Sequence, residues 1–221
     1  LKKTTIYYIN KTNKIHKKIS INDSISVKFD NDLFFESLKS IKNSSYNKNQ
    51  KLNPTIKKSL FSLPLSYMGF SGYINPFTLE AHINTNVAKL NIPTTICHEI
   101  AHQLGYSAEN EANYISIEAT LNSDNEYVNY SGSTFALKYL LNEIYLNDKK
   151  TYDELISKIN IGVLKNYKEV SENWKRYKNP LEKYFKKSYD IYLKANNQTK
   201  GIKTYNLVVD LLVNEYVNSE L

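Results

Sequence analysis

His98-Glu99-Ile100-Ala101-His102 constrains this chain more than any other stretch, because it requires one helix with two chemically different faces. On an α-helix His98 and His102 lie one turn apart on one side, so both rings can reach a single metal ion. Glu99, about 100° round, can hydrogen-bond a water on that ion without ligating it. Measured from His98, the residues Ile96, Cys97, Ile100, Ala101 and Leu104 fall in one arc of roughly 160° to 300°, an apolar back for a core. Asn91 and Pro93 are start signals upstream, and Gly105 is a stop signal just past His102. A helix ending there lets the chain turn back with a third ligand. Three protein ligands with a fourth position open to water is the catalytic zinc pattern.

The next segment predicts a second helix, N-capped by Ser107 and running to about Asn122. Two carboxylates in its first turn, Glu109 and Glu111, compete for the metal, and about 200° separates them on the helix. Glu109 shares its side with Asn113, Ser116 and Thr120, flanked by Ala112 and Ala119, whose small side chains let another helix approach. Glu111 shares its side with Glu118 in what reads as a solvated stripe. This pattern favours Glu109 as third ligand. Glu111 stays open as the alternative, whether as a surface charge or as a hydrogen-bond partner of a ligand histidine.

Glu109-x-x-Ala112-Asn113 resembles the Glu-x-x-Ala-Asp/Asn element of gluzincin-type metallopeptidases. There the first residue binds zinc and the last orients a ligand histidine, roles that carry over to Glu109 and Asn113. Only six residues separate His102 from Glu109, fewer than in that group, and the tight Gly105 turn is similar to that of metzincins. The subclass stays open. A wider resemblance rests on Tyr73-Ile74-Asn75-Pro76-Phe77-Thr78-Leu79-Glu80-Ala81-His82-Ile83-Asn84 and on Asn129-Tyr130-Ser131-Gly132. It extends to Tyr192-Leu193-Lys194-Ala195-Asn196 and Tyr205-Asn206-Leu207-Val208-Val209-Asp210-Leu211-Leu212. These are similar to a bacterial family known as domain of unknown function 3810. The resemblance implies a zinc peptidase of unknown substrate with a zincin-like fold. It also implies a cell-membrane protein whose anchor lies outside this chain, with this domain extracytoplasmic.

The expected chemistry is peptide-bond hydrolysis on a peptide or protein substrate. Zn²⁺ is held by His98, His102 and Glu109, it activates a water, and Glu99 serves as general base. An oxyanion needs a further donor, for which Tyr130 is the candidate because Tyr130-Ser131-Gly132 resembles a family motif; the competing reading is a core tyrosine. The alternative function is a catalytically inactive zinc domain that binds a peptide or cell-envelope ligand.

At 221 residues the chain suits one domain, 1–221. Hydrophobic residues at 41% and charged residues at 23% are ordinary for a globular protein, and no apolar run reaches spanning length. The start at Leu1-Lys2-Lys3-Thr4, without Met or an apolar signal core, reads as an excised or processed fragment. A net charge of +7 comes from scattered lysines with no nucleic-acid motif among them, which points away from nucleic acid and towards a basic surface near anionic lipid. Cys97, the single cysteine, excludes an intrachain disulfide and falls on the apolar back of the zinc helix.

The fold class expected is α+β, mainly α, with a small sheet and a helical C-terminal half. Thr4 to Ile9 reads equally as strand or helix start. Asp32 to Lys42 is a helix, Asn43 to Asn53 a surface loop, and Ser59 to Tyr67 an apolar stretch broken at Pro64. Gly69 to Pro76 is turn-rich, and Thr78 to Asn84 is a strand offering its edge to extended substrate, with His82 on its rim. Asp124 to Tyr130 is a loop, after which Ser131-Gly132-Ser133-Thr134 caps a helix to about Leu146. Further helices are expected at about 151–159, 161–176, 180–195 and 203–218.

Overall fold

Two hydrophobic clusters organise the chain, and a single helix contributes to both. The computed structural model describes residues 1–48, 52–195 and 207–220. Its helices are α1 (Lys2–Ile19), α2 (Leu33–Asn43), α3 (Ser45–Lys48), α4 (Ser62–Met68), α5 (Ile92–Gln103), α6 (Glu109–Leu121) and α7 (Glu126–Asn147). They continue with α8 (Lys149–Ile156), α9 (Ile161–Lys175), α10 (Glu182–Ala195) and α11 (Val208–Glu220). Three short strands, β1 (Ile56–Lys58), β2 (Gly72–Ile74) and β3 (Ala81–Ile83), complete a mainly helical α+β protein. Among the described residues no helix is long and apolar enough to cross a membrane.

The first cluster joins Tyr8 and Ile9 of α1, Leu137, Leu140 and Ile144 of α7, and Val208 and Leu212 of α11. The second joins Ile41 of α2, Ala81 and Ile83 of β3, and Ile96, Cys97 and Ile100 of α5. Helix α6 divides its faces between them, giving Ile117 and Leu121 to the first and Ala112, Ile115 and Ala119 to the second. That placement pins α6 against α5, and the candidate ligands lie where these two helices meet.

The sheet has strand order β1-β3-β2, with β1 parallel and β2 antiparallel to β3. The strand expected near 78–84 is therefore the central one, bonded on both sides, and β1 and β2 take the edge positions. Gln103, just past His102, ties the sheet to α5: its amide donates to Leu79 O at 2.7 Å and accepts from Thr55 N at 3.0 Å.

Several other local expectations are corrected. The β-branched start of the chain is helical, because burying Thr4, Thr5, Tyr8 and Ile9 against α7 outweighs strand propensity. Pro64 does not break α4, since it occupies the first turn, where backbone N–H groups have no helical partner. The turn-rich stretch contains strand β2. Helix α7 starts at Glu126 under an Asn125 cap that accepts from Tyr127 N and Val128 N, so Ser131 to Thr134 lie inside it. Those small residues serve helix packing: Gly132 abuts the Thr120 hydroxyl of α6, and Ser131 Oγ donates to Leu90 O. The last helix is present from Val208, while its expected start at 203–206, and Asn196, Tyr205 and Asn206 of the family resemblance, lie outside the described residues.

Candidate metal centre

Helix α5 carries the two histidines on its half-buried front while Ile96, Cys97, Ile100, Ala101 and Leu104 are sealed in the core behind. Its end is a Schellman motif. Gly105 has φ +97°, Gly105 N donates to His102 O at 2.9 Å, and Tyr106 N donates to Ala101 O at 3.1 Å. Only glycine takes that backbone conformation without steric cost. The same reversal turns the Tyr106 carbonyl towards the helix, where His102 Nδ1 donates to it at 2.8 Å. This bond fixes the tautomer and leaves the lone pair of His102 Nε2 facing inward.

Helix α6 begins at Glu109 with Ala108 at the N-cap position, one residue after the expected Ser107. Glu109 is buried, and its two carboxylate oxygens lie 3.3 Å from His98 Nε2 and 3.7 Å from His102 Nε2. The two Nε2 atoms are 3.1 Å apart. With zinc–nitrogen bonds of about 2.0–2.1 Å, a tetrahedral site has ligand–ligand edges of about 3.3 Å. The three separations bracket that value, so the donor set fits a divalent zinc ion. Among the described residues, His98, His102 and Glu109 form the one group of three such side chains close enough to share a metal. Glu111 is exposed and takes no part. Asn113, one turn along α6 and buried, lies near His98 and helps to raise its pKa.

The charges reinforce one another. Burial works against a charged His98, but the hydrogen bond and charge of Glu109, then Glu99 and Asn113, raise its pKa overall. Burial and the neighbouring His98 push His102 down to about 4, against the pull of Glu109 and Tyr106. Glu99 is buried, and desolvation lifts its carboxyl to about 7; His98 opposes this and Glu109 adds to it. A carboxyl poised near neutrality can both accept and return a proton. It is seated against β2, where Gly72 brings bare backbone up to its carboxylate.

Tyr130 does not join this group. It lies inside α7, fully buried in the first cluster, and its phenol donates to Asn166 Oδ1 at 3.1 Å. The position expected for it required a loop before Ser131, and the Asn125 cap removes that loop. Sequence reasoning missed another tyrosine of the same helix. Tyr139 is half-buried, with its ring 5.0 Å from Phe135. Burial raises its phenol well above the ordinary value and the Glu109 carboxylate adds to the rise. A spacing of nine residues from Tyr130, two and a half turns, puts the two on opposite faces of α7. His82 stacks on Tyr73 at 4.7 Å and also lies outside the metal group.

Two helices joined by a glycine reversal, with His–His–Glu donors and a buried carboxylic acid beside them, define a protein with a candidate metal centre. The chain belongs to the family described as protein of unknown function (DUF3810), whose model matches residues 1–213. No curated protein and no solved structure matches it.

Proposed function

We propose that this protein is a zinc-dependent metallopeptidase. The observation that carries this reading is the convergence of His98 Nε2, His102 Nε2 and the Glu109 carboxylate, with Glu99 buried beside them. A zinc ion held there supplies Lewis acidity towards a peptide carbonyl and lowers the pKa of water.

The chain's own residues supply the remainder. Glu99, held near neutrality by its burial, takes the proton from the attacking water and delivers it to the leaving amine. The Tyr106 carbonyl keeps the His102 ring aimed, and Asn113, buried near His98, is the residue placed to do the same for the other ring. Tyr139, half-buried on the face of α7 opposite Tyr130 and near enough to Glu109 for that charge to act on its phenol, is the donor we put forward for the developing oxyanion. Strand β2 is an edge strand of the described sheet with its Gly72 against Glu99, which suits an extended peptide laid alongside.

The test is metal content together with turnover of a peptide library. The purified protein should carry one zinc per chain and cleave peptides in a chelator-sensitive way. Glu99→Gln should keep the zinc and lose about 10²–10⁴-fold in turnover. Stoichiometric zinc without any turnover would leave a zinc-binding domain and end the peptidase reading. Absence of stoichiometric zinc would end both.

A further inference from the structure

One short stretch, residues 60–67, places four large apolar side chains in solvent. Leu60 is 96% exposed and Phe61 64%, and they are followed on α4 by exposed Leu63 and Tyr67. Leu63 and Tyr67, one turn apart on α4, form a ridge preceded by Leu60 and Phe61 in the turn before it, while Ser62, Leu65 and Ser66 face inward. The corner between α9 and α10 is fastened to this ridge. Asn179 Nδ2 donates to Tyr67 O at 2.7 Å, and the Tyr177 ring meets the Tyr67 ring edge-on at 5.6 Å. From that corner come exposed Leu181, just before α10, and exposed Tyr184 on it.

The corner itself is strongly basic. Lys175, Arg176, Lys178, Lys183 and Lys187 are all exposed, and Glu182 is the one carboxylate between residues 175 and 187. Lys183 Nζ sits over the Tyr184 ring, 5.0 Å from its centre, which brings cation and apolar surface together. A chain carrying +7 thus concentrates cations at the corner that is fastened to α4.

We infer that the α4 ridge and the α9–α10 corner form a docking surface for an anionic lipid bilayer. A side chain exposed as fully as Leu60 has no pocket wall around it. A protein partner would need a cavity built to match, whereas a bilayer accepts a protruding side chain directly. The cations are nearly all lysine, with Arg176 the single arginine of the chain. Lysine is depleted in protein interfaces, and its flexible, hydrated ammonium suits headgroups. The long lysine stems also let Leu60 and Phe61 enter the acyl boundary while the charges stay outside. The inference does not depend on the peptidase reading, because it uses none of the metal residues.

The experiment is co-sedimentation of the purified chain with phosphatidylcholine vesicles, with and without phosphatidylglycerol, at low and high salt and with chelator present throughout. Binding should require the anionic lipid and fall sharply with salt. Leu60→Ser with Phe61→Ser should weaken it by more than about tenfold, given what burying two such side chains contributes. Lys183→Glu with Lys187→Glu should weaken it by at least about tenfold. All four positions are exposed, so the variants should melt with the parent. No binding to anionic vesicles, or binding untouched by both pairs, overturns the inference. So does a dimer in solution that the Leu60 and Phe61 changes dissociate, because a second copy would then cover the ridge.

Discussion

Gly72 and Glu99 are packed backbone to carboxylate: a methyl group at position 72 would stand 2.6 Å from Glu99 Oε1 and 2.8 Å from its Cγ. Neither strand nor helix has room to yield, because β2 is bonded to β3 and Glu99 is buried. Gly72→Ala should therefore displace the carboxylate, cost about 1–3 kcal/mol of stability and remove most peptidase activity, with zinc retained. Thermal melting, metal content and turnover on one preparation check this, and an active Gly72→Ala would show that Glu99 tolerates displacement.

Glu109→Ala and Glu111→Ala separate the two carboxylates of the first turn of α6. Loss of Glu109 should cost more zinc affinity than the about 10–100-fold typical of losing an outer hydrogen-bond partner of a ligand. Loss of the exposed Glu111 should change affinity little. Competition with a chromogenic chelator reads both.

Gly105→Ala places a side chain at φ +97° and should destabilise the protein by about 1 kcal/mol or more. The Schellman bonds and the His102–Tyr106 bond share this reversal, so zinc affinity should fall as well. A loss of stability with unchanged zinc affinity would uncouple the helix end from the ligand.

The tyrosines of α7 give opposite expectations. Tyr130→Phe leaves Asn166 Oδ1, which also accepts from Val27 N, with one bond fewer, and should cost about 1 kcal/mol with turnover unaffected. Tyr139→Phe should lower kcat with zinc still bound. Steady-state kinetics beside thermal melting tells them apart.

Stability should also depend on pH away from the metal. Glu118 of α6 and Glu215 of α11 are close enough for their charges to interact, and burial followed by the Glu215 charge raises the Glu118 carboxyl to about 7. A raised folded-state pKa means that the folded protein holds a proton the unfolded chain has released. This contribution is full below the ordinary carboxyl value of 4.5 and is lost as pH rises towards 7. Urea unfolding at several pH values should show stability falling across that window, with a shallower slope in Glu118→Gln. An unchanged slope would remove this pair as its origin.

Much of the centre was legible in the sequence because it depends on helical geometry alone. The apolar arc from Ile96 to Leu104 is the buried back of α5, and the 200° between Glu109 and Glu111 is what separates the buried carboxylate from the exposed one. What the sequence hid depends on neighbours. A strand of three residues such as β2 has too few positions to show alternation, and no local signal marks β3 as central rather than edge. Ser131-Gly132-Ser133-Thr134 has the composition of a cap, but its small side chains serve the close approach of α6 and α7. The β-branched residues of α1 are helical because of what they bury, a preference written in α7 rather than in α1.

All the candidate ligands come from residues 98 to 109, twelve consecutive positions around one glycine reversal. An ion bridging so short a loop removes little freedom from the unfolded chain, so it acts as a clasp on a hairpin, not a brace between distant halves. The two cores that hold α5 and α6 in place need nothing from it. Under the proposed function, chemistry and folding would then be separable in this protein, and a lineage could lose the carboxylate, and with it any such reaction, while inheriting the whole scaffold.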